Sequence, residues 1–103
     1  MTAPSTTKKL IESAILIAGS LRKLATLLEV DSGNLSEMKN GKRACNWKIR
    51  GKLRVVLGEE PARAFMASMA EDLAESESAD EKKAAEQLEA ILAAFPEGDW
   101  RKR

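Results

Sequence analysis

SLRKLATLLEVDSGNLSEMKNGKR, residues 20–43, divides into two short helical stretches around a tight turn, and its reading decides the fold. In the first stretch Leu21, Leu24, Ala25 and Leu28 fall on one helical face. Ser20 precedes them as a natural N-cap, since its side-chain oxygen can accept from a free backbone N–H of the first turn. Val30 sits in the connection, and either Asp31 or Ser32 is placed to cap a second stretch running to about Asn40. The only apolar members of that stretch are Leu35 and Met38, spaced i and i+3. It can therefore bury a narrow stripe while Ser32, Gly33, Asn34, Ser36, Glu37 and Lys39 remain outside. A helix so short and so polar is not stable on its own. It needs a firm platform beneath it, or something outside to touch, and the glycine and cations that follow it, Gly41, Lys42 and Arg43, bear on which.

Helical periodicity continues on both sides of this segment. Upstream, behind a Pro, Ser and Thr-bearing tail, Leu10, Ile11, Ala14, Ile15, Ile17 and Ala18 recur at helical spacing up to Gly19. Lys8 and Lys9 at the edge of that tail are readable as part of an N-terminal arm. Downstream, WKIRGKLRVVLG turns Ile49, Leu53, Val56 and Leu57 inward and Lys48, Arg50, Lys52 and Arg54 largely outward. Gly51 inside this helix costs about 1 kcal/mol relative to alanine, a hint of close packing. Trp47 at its mouth reads as a core or loop-packing residue, because duplex binders seldom need exposed aromatics. A fifth helix opens at Pro61, whose missing N–H is not needed in a first turn, and carries Phe65, Met66, Met69 and Leu73 as its apolar stripe. ESESAD is a polar break or a weak continuation. Ala84, Leu88, Ile91, Leu92 and Phe95 then define a sixth amphipathic segment, and PEGDWRKR reads as a frayed tail.

A chain of 103 residues, 44% hydrophobic and 32% charged, can bury one modest core. With no Tyr and 4% aromatics, its Leu, Ala, Glu and Lys vocabulary is that of an all-α protein. There is no His and one cysteine, Cys45, so the ligand sets of zinc sites, a disulfide framework and imidazole chemistry are absent. No enzyme activity, metal or cofactor is expected. Cys45 is read as a small apolar residue in a reducing compartment. The apolar run of residues 10–18 is too short to span a membrane and the N-terminus has no signal-peptide pattern, so a cytoplasmic location is expected. The net charge of +1 hides a division: residues 1–58 hold 11 Lys and Arg against 4 Asp and Glu, whereas residues 59–103 hold 6 against 12. The basic region suits a polyanion, because cations near phosphates release condensed counterions. The acidic region is expected to close the core, to pair with a second copy, or to bind another protein chain.

Leu24, Ala25, Leu28, Val30, Leu35, Asn40, Gly41 and Lys42 reproduce a pattern in which an LA pair is followed by apolar, turn and apolar residues, a polar helix with an inward aliphatic, and a closing NGK. In this respect residues 20–43 resemble the helix-turn-helix of the lambda-repressor and Cro-like family of phage and bacterial regulators. The resemblance implies a five-helix domain from about Thr6 to Ser76, here with an additional C-terminal helix. It also implies a sequence-specific regulator of double-stranded DNA, a small phage or prophage repressor acting as a homodimer on two-fold-related half-sites. Carried over by position, Ser32, Gly33 and Glu37 face base edges with Asn34 and Ser36 beside them, while Lys39, Asn40, Lys42 and Arg43 meet flanking phosphates. Arg22 and Lys23 grip the backbone on the other side. Glu29 departs from the pattern: it stands where the family usually has a left-handed glycine, a conformation costing another residue about 1 kcal/mol, so a wider turn is expected. An antitoxin or adaptor, using the same fold with the acidic region for partner binding, is the alternative reading. The stripes on the fifth and sixth helices are candidate pairing surfaces or simply core.

Overall fold

A computed structural model describes residues 3–94. Among them are six α-helices and no strand: α1 (Ala3–Ala18), α2 (Leu21–Leu28), α3 (Ser32–Lys39), α4 (Trp47–Val56), α5 (Pro61–Ala74) and α6 (Ala79–Ala94). The first helix begins earlier than its apolar periodicity suggested. It starts at Ala3 and takes Pro4 into its first turn, where proline fits because that N–H has no intrahelical partner. Lys8 and Lys9 consequently stand exposed on α1 and not in an arm.

The connections follow from local chemistry. Ser20 accepts from the Lys23 N–H at 3.1 Å, and Asn46 from that of Ile49 at 3.0 Å. Between α2 and α3, Glu29 itself adopts the left-handed conformation at φ 60°, ψ 42°. The Val30 N–H donates to Ala25 O at 3.0 Å and that of Glu29 to Thr26 O at 3.1 Å, which together close a Schellman turn. Glu29 thus makes the tight turn itself, and the expected wider one does not form. Part of the compensation comes from α4, where the Lys52 ammonium donates to Leu28 O at 3.2 Å and lies 3.8 Å from the Glu29 carboxylate.

One core joins the first four helices. Ile11 and Ala14 of α1, Leu24, Ala25 and Leu28 of α2, Leu35 and Met38 of α3, and Leu53 of α4 are all buried in it. Ala25 is the fifth residue of α2, and its single methyl lets the neighbouring helices approach. The inward line of α1 leaves Ile17 in solvent, against its expected role in the stripe, and Leu16 beside it is 85% exposed; Leu27 of α2 also faces out.

α5 lies between α4 and α6, and α6 packs on α5 alone among the described residues. Sandwiching a helix on two sides favours small side chains, and the fully buried positions of α5 are Ala64, Ser68 and Ala70. The larger Phe65, Met66, Met69 and Leu73 are only half-buried. On α6, Ala85 and Leu92 are buried, Ala84 and Leu88 half-buried and Ile91 exposed. The Arg63 guanidinium ties the two helices by donating to Leu92 O at 3.0 Å. Phe95 and residues 96–103 lie outside the described residues.

The two arginines of α4 are not on its outer face, whereas Lys48 is exposed as expected. Arg50 and Arg54 retain only 12% and 13% side-chain exposure, because both reach across to α5. Arg50 donates to the carboxylates of Glu71 and Asp72 and to the carbonyls of Cys45 and Ser68. Arg54 donates to the Ser68 hydroxyl at 2.7 Å and to Glu71 at 2.5 Å. Asp72 in turn accepts from the Trp47 N–H at 2.9 Å. Burial alone lowers the Arg50 pKa, but the hydrogen bond and charge of Asp72, with Glu71, carry it above its ordinary value. The basic and acidic regions are therefore stitched together along α4 and α5. Gly51 faces the Phe65 ring so closely that a Cβ placed there would lie 2.3 Å from a ring carbon. Trp47 meets the same ring edge-on, with centroids 6.2 Å apart, and packs rather than displays itself.

Candidate nucleic-acid interface

What α3 presents is set by how little of it is anchored. Leu35 and Met38 are buried on α1 and α2, and the remaining side chains are half-buried or exposed. Asp31, of the two candidate caps, fixes the N-terminus by accepting from the N–H groups of Gly33 at 2.9 Å and Asn34 at 3.2 Å. At the other end Gly41 takes φ 79°, a conformation that a Cβ would strain. Its N–H donates to Met38 O at 3.2 Å and that of Lys42 to Glu37 O at 2.8 Å, so a second Schellman turn reverses the chain.

Gly33 and Glu37 are exposed on α3, while Ser32, Asn34, Ser36 and Lys39 are half-buried along its flanks. Asn40, Lys42 and Arg43 are exposed in the reversing turn, and Arg22 and Lys23 are exposed on the first turn of α2. The turn at Gly41 brings two of these together: the Arg43 Nε donates to Glu37 Oε1 at 3.0 Å, with both side chains about half exposed. Sequence spacing did not announce this pair. A separation of six residues is not a helical neighbour relation, and only the glycine reversal makes it one.

Arg50, Arg54 and Lys52 of α4, by contrast, are occupied within the fold, and Lys48 is exposed. Arg50 and Arg54 face α5, Lys52 caps α2, and the Lys48 ammonium sits 5.8 Å from the centre of the Trp47 ring. Their alternation with apolar residues suggested an outer charged face; the acidic neighbours Glu71 and Asp72, themselves an adjacent pair, were the signal that they had partners. Behind the reversing turn lies an open cavity of about 540 Å³, lined among others by Thr7, Met38, Lys42, Cys45 and Asp72. Burial pushes the Cys45 thiol up to about 11, with Arg50 pulling the other way and Asp72 adding to the rise. That makes it a poor nucleophile. Among the described residues no group of His, Cys, Asp or Glu could hold a metal ion, and no helix is long and apolar enough to cross a membrane.

In comparisons with known proteins, the chain matches no protein-family model, no curated protein and no solved structure. What the surface can do therefore rests on its geometry: a short, doubly capped helix at the edge of the core, flanked by Arg22, Lys23 and Lys42, cations with no acidic partner among the described residues.

Proposed function

We propose that the chain is a sequence-specific double-stranded DNA-binding protein with a lambda-repressor-like helix-turn-helix, acting as a small phage or prophage repressor. One observation carries the reading. α3 commits only Leu35 and Met38 to the interior and holds its polar residues outward between two satisfied helix ends. A surface helix that gains so little from burial is what a major groove can receive. In this reading Ser32 and Gly33 approach base edges at the N-terminal end of α3, with Asn34 and Ser36 beside them. Lys42 and Asn40 meet a phosphate past its C-terminus, and Arg22 and Lys23 meet the backbone from α2. Two copies on two-fold-related half-sites supply the affinity that one helix pair lacks.

Mobility-shift titrations with random and selected duplexes at two salt concentrations test this. The variant Lys42→Ala is expected to bind every duplex more weakly and with a flatter salt dependence, whereas Ser32→Ala changes which sequence is preferred. Equal affinity of wild type and Lys42→Ala removes the phosphate assignment, and no duplex binding even in dilute salt removes the proposal.

A further inference from the structure

Within the DNA-binding reading, on which this inference rests, Glu37 and Arg43 are not two independent contacts. We propose that Arg43 reads a guanine and that Glu37 is the residue that aims it. The Schellman turn at Gly41 returns the chain so that residue 43 lies beside residue 37, held by the Lys42 N–H to Glu37 O bond at 2.8 Å. The side chains then meet through a single bond, Arg43 Nε to Glu37 Oε1 at 3.0 Å. A guanidinium has five N–H donors, and this bond uses the one on its inner edge. Neither Nη atom of Arg43 has another partner among the described residues.

Three consequences follow from that geometry. The inner edge is taken, so the remaining way for Arg43 to make paired bonds is end-on, through Nη1 and Nη2. Two acceptors side by side in one plane are what the O6 and N7 of guanine present in the major groove. Because the arginine is held at its backbone and at Nε, less side-chain freedom is lost when the end engages a base. Finally, the pair is electrically neutral, so Arg43 adds little to the sequence-independent attraction that Lys42, a point charge without a side-chain partner among the described residues, supplies. Glu37 is thus a positioning residue and not itself a base contact.

The test compares wild type, Glu37→Gln, Glu37→Ala, Arg43→Lys and Arg43→Ala. The wild type first selects its site from a random duplex pool. All five proteins are then titrated, at several salt concentrations, against that site and against copies in which single guanines are replaced by deazaguanine, which lacks N7. Thermal unfolding of each variant checks that the fold is kept. For wild type, one such replacement is expected to weaken binding roughly tenfold, since it removes one of the two paired bonds while O6 remains. Arg43→Ala should be indifferent to it, and Arg43→Lys, which has no Nε for Glu37 to hold and no paired end, should keep at most a small part of the effect. Glu37→Ala should lose most of the discrimination yet bind random duplex more tightly, its salt dependence steepened by up to about one unit of log–log slope because a cation has been released. Glu37→Gln keeps an acceptor for Nε, and should retain most of the discrimination while showing the steeper slope. Discrimination unchanged in Arg43→Ala, or discrimination and slope both unchanged in Glu37→Ala, overturns the inference while leaving the DNA-binding reading intact. A wild type that binds no duplex overturns both.

Discussion

Replacing Gly51 by alanine asks whether the contact between α4 and α5 is as close as it looks. By helix propensity alone the substitution should stabilise, by about 1 kcal/mol. The new Cβ, however, would lie 2.3, 2.6 and 3.0 Å from three carbons of the Phe65 ring. Carbons in contact prefer about 3.5–4.0 Å, so the ring or the helix must retreat by roughly 1.2 Å or more. Overpacking of that kind typically costs about 1–3 kcal/mol, and a ring that swings outward also loses its edge-on contact with Trp47. The clash is expected to outweigh the propensity gain and leave a net loss of about 1–2 kcal/mol. In a domain of this size that lowers the melting temperature by about 5–10 °C. The diagnostic is a reversal of sign: with Phe65→Ala already present, Gly51→Ala should stabilise by about 1 kcal/mol, since only the propensity effect remains. Urea and thermal unfolding followed by far-UV circular dichroism measures both backgrounds. A stabilising Gly51→Ala in the wild-type chain, or the same effect in the two backgrounds, refutes the close approach.

Asp31→Ala removes the oxygen that holds the N–H groups of Gly33 and Asn34, and should cost about 1 kcal/mol by urea unfolding while fraying the first turn of α3 in amide exchange. Arg50→Met is expected to destabilise by about 2–3 kcal/mol, because Asp72 and the carbonyls of Cys45 and Ser68 lose their donor; an unchanged unfolding midpoint would sink that account. The Cys45 thiol ionises near 9 when unfolded and near 11 when folded, so its contribution to stability is complete below pH 9 and is lost as pH rises towards 11. The stability of wild type should accordingly decline relative to Cys45→Ala across that window, and the folded thiol should alkylate more slowly than the unfolded one. For duplex binding, Lys42→Ala alone should flatten the log–log salt slope by about 0.9, and adding Arg43→Ala should flatten it little further, because Arg43 already faces Glu37.

Helix placement was largely legible because it rests on short-range physics. The cap at Ser20, the cap at Asp31 or Ser32, the ends at Gly19 and Gly41, and the inward aliphatics Leu24, Leu28, Leu35 and Leu53 all act within a turn or two of themselves. The start of α1 was missed because Pro, Ser and Thr look like a tail, although each is tolerated in a first helical turn. On the candidate surface, the exposure of Glu37, Lys42 and Arg43 could be read from the polar run, but their relation to one another could not.

Local periodicity says which face of a helix is apolar, and for this chain that was enough to establish an all-α protein and to single out α3 as the helix with least to bury. What lies opposite a face depends on residues far away along the chain, and there the tertiary structure decided. It turned Arg50 and Arg54 inward onto Glu71 and Asp72, gave the tightest positions of α5 to Ala64, Ser68 and Ala70, and joined Arg43 to Glu37 across a glycine reversal. The physical reason is that a charge or a methylene carries no record in its own neighbourhood of the partner it will meet, so its role is set only when the helices close on one another.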